Sequence, residues 1–268
     1  RTIKMPFYSS SFVYDSRPSS YFNLYVSEIG GDGSSTWNGA GSMEIYNKKL
    51  YRRSKPFFYG SAVGDNAEYE LSFTSPEDID SRTSELIQKW LFSSRSYKKL
   101  MIVQPDMQDV YMNVILNDPQ VVREGNLIRG YTCTAQCDSP FGGWKFPKTK
   151  TYTYTAEVID STVTFNNTSD DNGDYLYPQL VITMNNAGGD ITITNQSDNN
   201  RVFSFTGLSP SEILTVDNSL QQISSSTDLK RMSNFNKKFF RLIPGINTIR
   251  FQGNVSSIAM TYQFVAKI

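Results

Sequence analysis

Residues 180–205 read LVITMNNAGGDITITNQSDNNRVFSF, and this stretch decides the fold class of the second half of the chain. It contains three short runs rich in β-branched and aromatic residues, separated by turns of Asn, Asp, Ser and Gly. Such runs are typical of strands with one buried face. Similar runs recur from residue 150 to the end, without a helix of useful length. About eight short strands at regular spacing predict a β-sandwich, such as a jelly roll.

The first half of the chain predicts strands arranged around one helix. Residues 69–74 (YELSFT) alternate strictly between apolar and polar, and strand patterns follow at 99–103 and 110–116. Between the first two of these strands, Asp80 or Ser81 can cap a helix. Four apolar side chains are expected on one face of this helix, packed against a sheet: Leu86, Ile87, Trp90 and Leu91.

A break in the pattern divides the chain. Residues 138–147 (DSPFGGWKFP) hold two prolines and two glycines. We therefore predict a mainly β chain with two domains, residues 1–148 and 149–268. The first is predicted to be a β-sandwich or barrel with one packed helix, and the second a jelly-roll β-sandwich.

The residue types that the sequence lacks argue against an enzyme. The 268 residues include no histidine, which removes the commonest general base, the Ser-His-Asp triad and most catalytic zinc sites. The phosphate-binding pattern GxxxxGK[ST] is also missing. A wall hydrolase using paired carboxylates is the remaining enzymatic alternative.

No cofactor or metal site is predicted. The acidic run at 170–174 (DDNGD) has no glycine at the sixth position of a calcium loop and no distal bidentate glutamate, so we interpret it as a solvated turn. The glycine-rich run at 30–41 leads into a strand pattern instead of the helix that a phosphate-binding loop should open. We interpret that run as a flexible loop.

Charge and cysteine content indicate the class of partner and the compartment of synthesis. Lys and Arg total 26, as do Asp and Glu, so the formal net charge is zero. Stable binding to nucleic acid or to an anionic membrane surface needs excess cation, and no run approaches the roughly 18 apolar residues of a membrane span. Cys133 and Cys137 lie in one strand-like run, with Cα atoms expected about 13 Å apart, too far for a disulfide. Two free thiols suit synthesis in a reducing cytosol.

Four runs of sequence, in order along the chain, resemble the distal tail (Dit) proteins of siphophages. Residues 38–43 (NGAGSM) and 51–60 (YRRSKPFFYG) are similar to that family's first domain. Residues 137–141 (CDSPF) are similar to its domain-ending signature, and residues 244–254 (PGINTIRFQGN) to its closing pattern.

The resemblance implies a structural hub of a phage tail tip or baseplate. The first domain would form a ring, usually a hexamer, that continues the tail tube, and the second would be a galectin-like β-sandwich. The ring would join the major tail tube protein to the tail-associated lysin or spike protein, and often to receptor-binding proteins. DNA would pass through without specific binding during genome ejection. The protein would be made in the host cytoplasm and lie at the distal end of the tail in the virion.

Five residues are candidate subunit contacts in such a ring. Trp37 lies in the glycine-rich loop and is a candidate anchor for a partner, because buried Trp dominates interfaces; packing on its own domain's core is the alternative. Arg52 and Arg53 are expected in subunit interfaces or on the outside, and a solvated charge run is equally compatible. Phe57 and Phe58 lie, like the two arginines, in the run 51–60 that is similar to the family's first domain. The candidate domain-junction motif is Cys137, Asp138, Ser139, Pro140 and Phe141.

A cell-wall carbohydrate-binding module is the alternative function. Aromatic residues in or next to the second domain could stack on sugar rings, although at least half of them are expected in core or interface positions. Sugar-binding galectins resemble one another in a motif that contains His, and this chain has none. The aromatic residues are Trp144, Tyr152, Tyr154, Tyr175 and Tyr177.

Overall fold

The computed structural model describes residues 11–27, 43–52, 54–156, 158–227 and 229–268. Strands make up most of the described elements, together with one α-helix, α1 (Ser81–Phe92), and short 3₁₀ turns at Ser19–Phe22 and Arg231–Ser233. The strands in chain order are β1 (Phe12–Tyr14), β2 (Arg17–Pro18), β3 (Tyr25–Val26), β4 (Met43–Lys48), β5 (Phe57–Val63), β6 (Glu68–Thr74), β7 (Lys98–Ile102), β8 (Val110–Glu124), β9 (Leu127–Cys137), β10 (Gly142–Lys145), β11 (Lys148–Thr153), β12 (Ile159–Asn167), β13 (Gln179–Met184), β14 (Gly189–Asn195), β15 (Arg201–Leu208), β16 (Ile213–Asp217), β17 (Gln222–Ser225), β18 (Gly245–Gly253), β19 (Val255–Tyr262) and β20 (Val265–Lys267).

The chain divides into two compact units. The first comprises Arg1–Lys145 with Val265–Ile268, and the second comprises Phe146–Phe264. The chain thus enters the second unit slightly before the predicted boundary after residue 148. The end of the chain, which we predicted to be part of the second domain, belongs to the first unit, because β20 pairs with β10.

The first unit is built on an open antiparallel sheet. Its strands follow the order β2-β1-β7-β8-β9-β6-β3, and β10 joins β8 to β20. One face of β6, of β9 and of the first half of β8 is apolar and buried, as the period-2 pattern predicts. Within the described residues this sheet stays open and does not close into a barrel. The predictions of a mainly β chain and of one packed helix are confirmed.

Helix α1 covers the buried face of this sheet. Asp80 caps it, because its Oδ1 accepts the backbone N–H groups of Arg82 and Thr83 at 2.9 and 3.0 Å. Ile87 and Leu91 are fully buried. Leu86 is 50% exposed, so its predicted place on the buried face is wrong. Ile87 and Leu91, four residues apart, lie one above the other on the face that contacts the core, and Leu86 lies beside them.

The two cysteines lie in β9 and are free, as predicted, and both are buried. Burial raises the pKa of the Cys133 thiol to about 12 and, with nearby carboxylates adding to it, that of Cys137 to about 12. Both side chains therefore serve as small apolar groups of the core rather than as nucleophiles.

The second unit is a β-sandwich of two antiparallel sheets, as predicted. One sheet has the order β11-β19-β13-β16-β17 and the other β12-β18-β14-β15. Alternate side chains of both sheets meet in one apolar core that includes Phe203, Phe205 and Phe251. The long connection from β17 to β18 adds Phe235 and Phe240 to this core.

Candidate subunit interface and domain junction

Strands β4 and β5 form a separate hairpin in the first unit, which we call the arm. It is a two-stranded sheet of its own, and within the described part of the chain no third strand pairs with it. Every residue of β4 is exposed, and so are Phe57, Phe58 and Tyr59 in β5. An isolated two-stranded hairpin has marginal stability in water, so among the described elements of this unit the arm most needs a partner.

The register of the arm sorts its side chains into two unlike faces. Directly paired residues of antiparallel strands share a face. Met43 pairs with Val63, and Asn47 with Phe58, so Ile45 lies between them on the same face. We call this the apolar face of the arm: Met43, Ile45, Phe58 and Val63, with Asn47 and Ser61. Ile45 is 63% and Phe58 67% exposed.

The opposite face is more polar. It carries Glu44, Tyr46, Lys48 and Phe57, and the Tyr46 hydroxyl donates to the Glu44 carboxylate at 2.8 Å. A bulge at Tyr59 separates the pairing of Tyr46 with Gly60 from that of Asn47 with Phe58. If the pairing continued regularly past Gly60, Tyr59 would lie opposite Asn47 and Phe58 opposite Lys48, on the polar face. The bulge therefore places Phe58 on the same face as Met43, Ile45 and Val63.

The tip of the arm is basic. Lys48, Lys49, Arg52 and Lys55 are exposed within residues 48–55, a segment without a carboxylate. The Arg52 guanidinium lies 5.4 Å from the centroid of the Tyr51 ring. The apolar face and the cationic tip of the arm together form a surface that suits a partner with apolar and acidic side chains.

The structure brings part of the predicted interface set together on the arm. Arg52 is at the tip, and Phe57 and Phe58 lie on opposite faces of the stem. Trp37 and Arg53 fall outside the described residues. Sequence reasoning missed Met43, Ile45 and Val63, although the strand-like alternation after residue 42 was the signal that could have found them.

The CDSPF motif forms the turn that follows β9. The Asp138 carboxylate accepts from Asn113 Nδ2 and from Trp144 Nε1, both at 2.8 Å. The buried Ser139 carbonyl accepts from the Ala67 N–H at 3.1 Å, and the Phe141 carbonyl from the N–H of Ile268 at 3.1 Å. These bonds fasten β8, β9, β10 and the chain end to one another where the chain leaves the first unit.

We expect Asp138→Ala to destabilise the first unit by about 1.5–3 kcal/mol, because it leaves two half-buried donors without their charged acceptor. All three tryptophans, Trp37, Trp90 and Trp144, precede residue 146, so tryptophan fluorescence in a denaturant titration reports this unit. Asp109→Ala, at an exposed carboxylate of the same unit, should stay within about 0.5 kcal/mol. Equal effects of the two substitutions would show that the turn is not a fastening point.

The candidate sugar-stacking aromatics separate into two groups. Trp144 is engaged by Asp138. Tyr152 lies 5.2 Å from the Phe251 ring, and Tyr154 also packs against the core of the second unit. Tyr175 and Tyr177 remain on the surface.

The described residues contain neither a metal-ligand cluster nor a membrane-spanning helix. Among them, no group of three or more His, Cys, Asp or Glu side chains could hold a metal ion. In the acidic run, Asp171 and Asp174 accept nearby backbone N–H groups of Gly173 and Tyr175 at 3.0 and 2.7 Å, as in a solvated turn. No helix in the described ranges is long and apolar enough to span a bilayer.

Comparison with known proteins relates both units to phage tails. Residues 7–139 match the family described as phage tail protein N-terminal domain, and residues 143–262 match the phage tail C-terminal domain. No curated protein matches the sequence.

Solved structures give the fold its relatives. The Dit protein of phage SPP1, described as a paradigm of the hub adsorption apparatus in phages that infect Gram-positive bacteria, matches with a TM-score of 0.70 and 12% identity, over 95% of this chain and 99% of that one. At that identity the likeness shows the fold alone. A chain of the phage P2 baseplate in its activated conformation matches with a TM-score of 0.48 and 10% identity, over 96% of this chain and 99% of that one.

Proposed function

The chain belongs to the phage tail protein family whose N-terminal and C-terminal domains it carries in order, and from this premise we propose that it is the hub subunit of a tail tip. In this role the first unit assembles into a ring, with a hexamer as the expected form. The ring joins the major tail tube protein to the tail-associated lysin or spike protein and to receptor-binding proteins. The proposed location is the distal end of the tail, and the proposed role includes no catalytic step.

The apolar face of the arm is the observation that carries this proposal. Ile45 and Phe58 are large apolar side chains held in register on a hairpin that pairs with no third strand among the described residues. Exposed apolar surface of this kind marks protein interfaces. A ring requires one patch of each subunit to meet a different patch of the next, and the exposed apolar face of the arm is a suitable first patch.

Charge favours a second copy of the chain as the partner that covers the arm. The tip of the arm is cationic, and the same unit exposes carboxylates at Glu70, Glu77 and Glu85. The zero formal net charge lets identical subunits approach without strong mutual repulsion. It also suits a channel from which DNA must be released, because excess cation would hold the phosphates.

Negative-stain electron microscopy of the purified full chain tests the proposal. We expect closed rings, formed by the protein alone or on mixing with the tail tube protein and the lysin or spike protein. Particles that remain monomeric under all of these conditions would overturn the proposed function.

A further inference from the structure

Two tyrosines and one ion pair form a surface cluster on the second unit, which we call the tyrosine platform: Tyr175, Tyr177, Arg241 and Asp198. The two tyrosines are 38% and 37% exposed. Their ring centroids are 6.4 Å apart, and the ring planes meet at 70°. Two adjacent aromatic rings at the surface of a β-sandwich present an apolar area with polar hydroxyl edges.

The backbone holds this platform in place. Leu176, between the two tyrosines, pairs with the buried Leu242 through two hydrogen bonds, 2.9 Å and 2.8 Å long. Leu176 packs against the core of the second unit. In extended backbone, residues two apart point to the same side, so Tyr175 and Tyr177 share the side opposite Leu176. A ligand would meet rings whose positions are already fixed, which lowers the entropic cost of binding.

An ion pair fixes the side of the platform. The Arg241 guanidinium lies 3.6 Å from the centroid of the Tyr175 ring. Its Nε donates to Asp198 Oδ2 at 2.7 Å and its Nη2 to Asp198 Oδ1 at 3.1 Å. Asp198 is buried. The fork-to-fork geometry orients the guanidinium, and the carboxylate compensates its charge.

The polar groups at the platform suit hydroxyl groups better than anions. A paired guanidinium exerts little net attraction on a polyanion at a distance, yet it still offers N–H donors, since it has five and Asp198 takes two. Asn199 and Asn200, next to Asp198 in the turn between β14 and β15, are both exposed. Their amides can both donate and accept hydrogen bonds.

We propose that the tyrosine platform is a binding site for a neutral saccharide. A C–H face of a sugar ring would stack on one of the two rings, at Tyr175 on the side away from Arg241, and contact the edge of the other, and its hydroxyl groups would bond to Arg241 and the neighbouring amides. The site holds two aromatic rings fixed by the backbone, with hydrogen-bonding groups at one side, as the recognition of a hydroxyl-rich ring with apolar C–H faces requires. This proposal does not depend on ring formation by the first unit.

Titration of the full chain with neutral oligosaccharides tests the platform. The probes are tetramers of N-acetylglucosamine and oligomers of glucose, galactose and rhamnose, followed by calorimetry and saturation-transfer NMR. We expect at least one to bind with a Kd of about 1 mM or tighter. Tyr175→Ala should weaken that binding about tenfold, whereas Tyr175→Phe should stay within about twofold because it keeps the ring.

Two controls make the result specific. Tyr97→Ala removes an exposed tyrosine of the first unit and should leave the Kd unchanged. Raising salt from about 0.05 M to about 0.5 M should also leave it unchanged, because the guanidinium charge is already paired. The proposal is overturned if no oligosaccharide binds at about 10 mM, if Tyr175→Ala binds as tightly as the parent, or if only an anionic wall polymer binds and salt releases it.

Discussion

The double substitution Ile45→Glu with Phe58→Glu is expected to abolish ring formation while each protomer stays folded. Both side chains lie on the apolar face of the arm and are largely exposed in the protomer, so the protomer loses little packing. In a ring, the two carboxylates would be buried against apolar surface without partners, at a cost of several kcal/mol. Every 1.4 kcal/mol is a factor of ten, so we expect assembly to weaken by about a thousandfold or more.

The same hairpin supplies a matched control. Tyr46→Glu with Phe57→Glu adds the same charge to the same two strands but on the opposite face. Analytical ultracentrifugation measures the ring fraction, and circular dichroism shows whether the protomer is folded. The apolar-face interpretation fails if the Ile45/Phe58 variant still forms rings, or if the control pair disrupts them equally.

The sequence predicted those features of the fold that depend on local pattern. Alternation at residues 69–74 predicted β6, and Asp80 predicted the start of α1. In each case the physical cause lies within a few neighbouring residues, as strand periodicity or as a cap. The position of Leu86 was wrong because neighbouring positions differ by about 100° around a helix, and sequence alone did not decide which side of the stripe faces the sheet.

The candidate sites depended on distant pairing, which sequence does not show. Phe58 was named from the family resemblance, but its face is set by the bulge at Tyr59 and by the register with Asn47. Tyr175 was named as an exposed aromatic, whereas the guanidinium of Arg241 that covers it comes from a segment far along the chain. Side chains brought together by tertiary contacts leave no periodic signal in the sequence.

The largest expected loss of stability in the second unit comes from breaking a buried ion pair that tertiary contacts bring together. The Glu212 carboxylate accepts from Arg231 Nε at 2.8 Å and from Arg231 Nη2, from the Ser225 hydroxyl at 2.6 Å and from the Ser209 N–H at 2.7 Å. Arg231 also donates to the Gly207 carbonyl at 3.3 Å. The network connects β15, in one sheet of the sandwich, with β17 in the other.

Glu212→Ala should therefore cost about 3–5 kcal/mol, because it leaves the Arg231 charge buried without its partner. Since the second unit contains no tryptophan, its unfolding should appear in calorimetry and near-UV circular dichroism and be silent in tryptophan fluorescence. The double substitution Glu212→Leu with Arg231→Met should recover much of the loss, because it removes both charges and keeps volume. Asp160→Asn is the surface control: Arg250 pairs with Asp160 in the open, and exposed pairs contribute little.

The same carboxylate gives the second unit a defined response to acid. Burial alone would raise the pKa of Glu212, but the bonds from Arg231, Ser225 and the Ser209 N–H outweigh it and lower the pKa to about 2. An unfolded Glu has a pKa of about 4.3. The stabilisation from this group is therefore complete above about pH 4.3 and is lost as the pH falls towards about 2.

We therefore expect calorimetry of the parent to show that the contribution of Glu212 to stability is unchanged from neutral pH down to about 4.5. It is then lost as the pH falls further. Glu212→Gln should lack that loss while being less stable than the parent at neutral pH. Parallel acid profiles of the parent and Glu212→Gln would contradict the role of this pair. A loss of stability at neutral pH no larger than that of Asp160→Asn would also contradict it. Either result would mean that the two sheets hold together without the ion pair.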